Sequence, residues 1–288
     1  MKTFLISLLI MTCLTGELTE PEEVLLEVVP EKLEIGDVGL VKVKVTEDIE
    51  SLRGEVFGKE IHFFLEGDGY FGLIGAGLYT EPKEYFLDLE FLERSGKIRR
   101  FREKILVVEK FFETERLYLP KEMVTLSKRN LKRVREENGI LNKIWETETK
   151  ERLWKGNFIL PVEGEFGSRF GLRRIINGKR RSPHTGVDIK AKEGSSVLAS
   201  NSGRVIFIDN LFFSGNSIIL DHGFGLYTMY FHLSDILVKE GDIVSKGEVI
   251  GRVGQTGRAS GPHLHFGVRL QGKRVDPLSL LSLSLTEF

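Results

Sequence analysis

Apolar and polar side chains alternate in short runs through the first third of the chain. Leu40-Val41-Lys42-Val43-Lys44-Val45 follows Gly36-Asp37 and alternates at period two, as a half-buried strand does. Residues 61–65, 85–89 and 105–108 repeat the pattern, separated by Gly67-Asp68-Gly69, Glu81-Pro82 and Ser95-Gly96. Strands at this spacing predict an antiparallel, immunoglobulin-like β-sandwich over residues 22–112.

The period changes near Ser127. Leu131, Val134, Leu141 and Trp145 fall on helical spacing, and Ser127 is placed to cap them. The other faces are dense in Lys, Arg and Glu, so a solvated connecting helix is expected within a linker over residues 113–156. From Phe158-Ile159-Leu160-Pro161 onward Gly and Val rise, and 19 of the 31 glycines follow residue 150. That shift predicts a second, turn-rich antiparallel β domain over residues 157–282, with a short tail at 283–288. The fold class expected is mainly β.

Before these patterns the chain opens Met1-Lys2-Thr3 and runs apolar from residue 4 to 14. A basic start and an apolar stretch of this length read as a signal peptide over residues 1–16 and are too short for a membrane span. Cys13 offers a second reading, a lipoprotein acylated on that cysteine. Either one directs the protein to the periplasm or cell envelope.

At 288 residues, two domains are the ordinary expectation. The net charge of -1 hides a split: residues 157–288 carry 16 Lys and Arg against 12 Asp and Glu, and the preceding part is acidic. This excess is too small to point to nucleic acid. A single cysteine excludes a disulfide scaffold and a thiolate zinc cluster, so any metal must take His, Asp or Glu.

Five of the six histidines fall in the second domain: His184, His222, His232, His263 and His265. His184-Thr185-Gly186-Val187-Asp188 has H-x-x-x-D spacing, and His263-Leu264-His265 lies in an apolar stretch. On a strand, residues two apart point to one face, so these two imidazoles are expected side by side. Two His and one Asp suit Zn²⁺ and leave a fourth tetrahedral position for water, as in a catalytic site. His62 and His222 read as structural.

Residues 158–282 resemble the lysostaphin-like, or LytM-type, zinc metallopeptidases that act on peptidoglycan. The resemblance rests on Phe166-Gly167-Ser168-Arg169-Phe170-Gly171, the His184-to-Asp188 motif, Asp221-His222-Gly223 and Tyr230-Phe231-His232-Leu233. It continues through Gly241-Asp242, Gly247-Glu248, Gly254-Gln255-Thr256-Gly257 and Gly261-Pro262-His263-Leu264-His265-Phe266. It implies one Zn²⁺ held by His184, Asp188 and His265, with His232 and His263 as catalytic histidines beside the reacting water. It implies cleavage of peptide cross-links in peptidoglycan; a non-hydrolytic wall-binding regulator is the alternative. Arg169 is expected at the groove rim. Tyr230, two residues before His232, is expected on the same strand face, lining the groove or donating to the oxyanion.

Overall fold

The structure, a computed structural model, describes residues 24–45, 49–118 and 125–285. The expected signal sequence and Cys13 lie outside the described residues.

Among the described residues, ten strands precede the helix over residues 128–146. They are β1 (Val24–Val29), β2 (Lys32–Glu34), β3 (Val38–Val45), β4 (Ile49–Val56) and β5 (Lys59–Ile61). There follow β6 (Phe63–Glu66), β7 (Gly69–Gly75), β8 (Glu84–Glu93), β9 (Ile98–Val108) and β10 (Thr114–Leu117). After helix α1 (Lys128–Glu146) come β11 (Glu165–Phe166), β12 (Arg173–Ile176), β13 (Lys179–Arg180), β14 (Gly186–Lys190) and β15 (Ser196–Leu198). Next are β16 (Gly203–Leu211), β17 (Gly215–Asp221), β18 (Leu226–Ile236) and β19 (Ile243–Val244). The chain closes with β20 (Val249–Val253), β21 (Leu264–Leu270), β22 (Lys273–Val275) and the short α2 (Pro277–Ser282). The fold is mainly β.

The first part is two packed sheets, ordered β1-β3-β7-β6 and β2-β9-β8-β4-β5. All pairings in them are antiparallel except β2 with β9. Val41 and Val43 of β3 turn toward Leu87, Leu89, Phe91 and Ile105 of the facing sheet. Where the alternation predicts a half-buried strand, the structure buries both faces at the start of β3. Val38 and Leu40 pack with Phe64, Phe71 and Leu73 against Trp154 of the segment expected as linker and Leu270, Val275 and Leu280 of the second part. One apolar core therefore runs from the sandwich into the second sheet. Gln271 Nε2 donates to the Leu73 carbonyl at 3.3 Å and the Asp276 amide to the Gly36 carbonyl at 2.7 Å, tying the two parts by one side-chain and one backbone bond.

The segment expected as linker contributes structure of its own. β10 pairs parallel with β12, Thr114 opposite Arg173 through Leu117 opposite Ile176. Helix α1 begins where expected, with the Ser127 hydroxyl accepting from the Asn130 amide at 3.2 Å. Leu131 stays exposed; Leu141, Ile144 and Trp145 make the contact, on Phe207, Leu211, Tyr227 and Met229. Arg133 and Glu137 pair one turn apart at 2.7 Å, and the Glu137 carboxylate also accepts from the Phe212 amide. The helix thus rests on a face of the second sheet, over β16 to β18, and buries none of its own residues fully.

That second sheet has ten strands, with the path β11-β14-β21-β18-β17-β16-β19. Its centre, β14-β21-β18, puts Asp188, His265 and Phe231 in register on one face. Val187, Phe266 and Tyr230, also in register, fill the opposite face and the core. Among the described residues no helix is long and apolar enough to cross a membrane.

Candidate metal centre

β14 meets β21 from its first residue, Gly186 lying opposite Gly267. A methyl group on Gly186 would collide with the Phe266 carbonyl and come within 2.7 Å of His265 Nε2. The glycine lets the two ligand-bearing strands approach. Asp188 Oδ1 then lies 2.9 Å from His265 Nδ1 and 3.0 Å from His184 Nε2, and the two nitrogens are 3.0 Å apart.

The triangle fits a metal. Tetrahedral ligands at about 2.0–2.1 Å from zinc sit roughly 3.3 Å from one another, slightly wider than the atoms found here. The protons also point to a cation. His184 donates its Nδ1–H to the Arg169 carbonyl at 3.0 Å, so its Nε2 presents a lone pair to the other two atoms when the ring is neutral. Burial acts to raise the Asp188 carboxyl. Hydrogen bonds and charge from His184 and His265 outweigh it and hold the group well below the usual carboxylate range. Burial pushes His265 down to about 4, more than Asp188 beside it can restore. A carboxylate oxygen and two imidazole nitrogens aimed at one point form a donor set for a borderline divalent ion. Among the described residues, His184, Asp188 and His265 are the group able to hold one.

His263 precedes β21 and shares the face of His265, its Nε2 3.8 Å from Asp188 Oδ1. The rings of His263 and His232 are 4.7 Å apart. Each is tethered at Nδ1 to a carbonyl, His263 to Gly261 at 2.8 Å and His232 to Thr256 at 2.9 Å. In the neutral form of either ring this leaves Nε2 as the acceptor. Burial lowers His232, favouring its neutral form.

Two expectations change. Tyr230 is wholly buried, its ring 5.5 Å from that of Phe266 in the core and its oxygen accepting from the Ser200 amide at 2.8 Å. It neither lines a groove nor reaches an oxyanion. The expected shared face fails because Phe231 and His232 together oppose Ser217, a β-bulge with His232 at φ +65°. Arg169 is exposed, its guanidinium over the Phe166 ring, and its contribution to the centre is the carbonyl that orients His184.

His62 and His222 stand apart from the centre. His62 pairs with Glu148 at 2.9 Å, and His222 is buried between the Ser202 carbonyl and the Thr228 hydroxyl, 2.7 Å from each. Sequence reasoning did not single out Phe231, whose ring stacks flat on His265 at 5.4 Å and 5°. Nor did it separate Thr256 from the glycines flanking it. The strand register of Phe231 opposite His265 is what marks the first.

Residues 182–277 match Peptidase family M23. The peptidoglycan DD-endopeptidase ShyA of Vibrio cholerae is 40% identical over 121 residues, 41% of this chain and 28% of its own length. The DD-carboxypeptidase/endopeptidase Mpg of Neisseria meningitidis is 41% identical over 130 residues, 44% of this chain and 30% of its own. The chain thus spans under a third of the length of these curated relatives. A solved structure of a candidate peptidase M23 from Pseudomonas aeruginosa is 30% identical with a TM-score of 0.65. It covers 84% of this chain and 93% of its own, so the likeness extends beyond the metal centre into the sandwich. The chain belongs to peptidase family M23.

Proposed function

We propose that the protein is an exported, zinc-dependent endopeptidase that hydrolyses peptide cross-links of bacterial peptidoglycan in the cell envelope. The observation that carries this reading is the convergence of one carboxylate oxygen and two imidazole nitrogens within 3.0 Å, beside two carbonyl-tethered histidines. The relatives named as endopeptidases of peptidoglycan support the substrate class.

His184, Asp188 and His265 would hold the ion. Zinc bound there supplies a Lewis acid that acidifies water and polarises the scissile carbonyl. His232 and His263, with Nδ1 occupied, each offer Nε2 to the reaction. One takes the proton of the attacking water, and the other faces the charge that develops on the carbonyl oxygen. Phe231 holds the His265 ring in plane, so the ligand does not rotate as charge shifts. On this reading residues 1–16 direct export, residues 157–282 are the peptidase domain, and residues 22–112 are the domain that supports it.

The test is metal analysis of the full chain joined to mass spectrometry of treated peptidoglycan. One zinc per chain and new peptide termini are expected, and His265→Ala should lose both. Zinc and wall binding without new termini would make the protein a non-hydrolytic regulator instead.

A further inference from the structure

Helix α1 lies on the same face of the second sheet as the metal centre. On β18, Met229 opposes Gly267 and Phe231 opposes His265, and alternation puts both side chains on the metal face. Leu141, Ile144 and Trp145 of the helix pack on the cluster that Met229 and Phe231 share, and Phe231 stacks on His265.

The helix also grips the loop between β16 and β17. Arg133 Nη2 donates to the Asn210 carbonyl, and both Glu137 carboxylate oxygens accept from the Phe212 amide at 3.0 Å. The Glu137 side chain is 14% exposed, and its ion pair with Arg133 at 2.7 Å fixes the carboxylate. A charged acceptor of this kind is stronger than a neutral one.

That loop carries His232. The Phe213 carbonyl accepts from the Arg258 amide at 2.8 Å, and the Ser214 carbonyl from the His232 amide at 2.8 Å. Ser214 precedes β17, so the His232 amide finds its acceptor on the loop. His232 has φ +65°, a conformation that a residue with a side chain keeps only where its surroundings fix it. The loop is also locked to the one bearing Thr256, whose carbonyl holds the His232 ring. A methyl group on Gly215 would collide with Thr256, and one on Gly257 with the Gly215 amide. Backbone and ring of His232 both hang on the pair of loops that the helix grips.

We propose that Glu137 is a positioning residue for His232, acting through the loop at residues 212–214. The inference rests on the endopeptidase reading for the role of His232 and extends the reaction machinery to helix α1. A misplacement of about 1 Å can cost on the order of 100-fold in rate. Glu137 acts through two intervening residues, so the loss expected is smaller, about tenfold.

Three variants of the full-length protein test it, each at a temperature where circular dichroism shows it folded. Glu137→Ala removes the acceptor, and Glu137→Gln keeps an oxygen for the Phe212 amide. Glu136→Ala breaks the exposed pair with Lys132 at 3.7 Å on the same helix and leaves the loop untouched. On a cross-linked peptide dimer, Glu137→Ala should lower kcat about tenfold with little change in KM. Glu137→Gln should recover most of that loss, and Glu136→Ala should match the unaltered protein. Exchange of the His232 amide hydrogen, followed by NMR, should quicken about tenfold in Glu137→Ala alone. Should Glu137→Ala not fold, Glu137→Asp, one methylene too short to reach Phe212, takes its place. A change in kcat without faster exchange, faster exchange without a change in kcat, no change in either, or an equal loss in Glu136→Ala would overturn the proposal. Failure of the unaltered protein to cleave is a separate result. Faster exchange confined to Glu137→Ala would then uphold the positioning and sink the hydrolytic reading, and unchanged exchange would sink both.

Discussion

His232 and Tyr230 stand two residues apart on β18 and face opposite sides of the sheet. His232 looks toward His263 across 4.7 Å between rings, whereas Tyr230 packs on Phe266 in the core. The bulge opposite Ser217 turns His232 to the metal face. Thr256 holds that bulge from the adjoining loop. Its hydroxyl accepts from the Asn216 amide at 2.9 Å and donates to the Leu233 carbonyl at 2.8 Å, while its own carbonyl takes the His232 ring.

Thr256→Val removes the hydroxyl and keeps the carbonyl. It leaves the Asn216 amide without its acceptor, at a cost of about 1–3 kcal/mol. The loosened bulge should lower kcat several-fold with little change in KM, read by steady-state kinetics on a cross-linked peptide. An unchanged kcat in a destabilised variant would show that the bulge does not depend on this staple.

Tyr230→Phe separates structure from chemistry. The Ser200 amide loses a buried acceptor and Thr228 a neighbour at 3.0 Å, so stability should fall by about 1–3 kcal/mol in a denaturant titration. Turnover per folded molecule should stay at the level of the unaltered protein. A large drop in turnover would return Tyr230 to the reaction.

His222 predicts an acid-side loss of stability. Burial pushes its folded value down to about 4, below an unfolded value of about 6.5. The folded state therefore resists protonation: its full stability is present above about pH 6.5 and declines as pH falls toward 4. The expected loss is about 2 kcal/mol by pH 5. The difference in unfolding free energy between the natural protein and His222→Asn, measured from pH 7.5 to 5, should shrink by that amount. A pH-independent difference would contradict it.

The shared core makes the two parts unfold together. Leu40 belongs to the sandwich by sequence and shares a core with Trp154 and with Leu270 and Val275 of the second part. Leu40→Ala should cost about 2–5 kcal/mol and shift a single transition, with far-UV circular dichroism and tryptophan fluorescence moving together. Two separated transitions would show that the parts are energetically independent.

The histidine and aspartate spacings determined the chemistry that the chain could offer. His184 with Asp188 and His263 with His265 each lie within a few residues, and local strand geometry suffices to aim such pairs. The helix start at Ser127 and the alternating runs of the sandwich were legible for the same reason: caps and two-residue periods are local. Non-local pairing decided the rest. A bulge opposite Ser217 put His232 on the metal face and sent Tyr230 into the core. Register across β14, β21 and β18 laid Phe231 on His265. Docking of β3 on the second sheet buried Val38 and Leu40 on a face that alternation alone assigns to solvent. In each case the deciding contact joins residues far apart in sequence, and which strand lies alongside which is set by the packing of the whole chain.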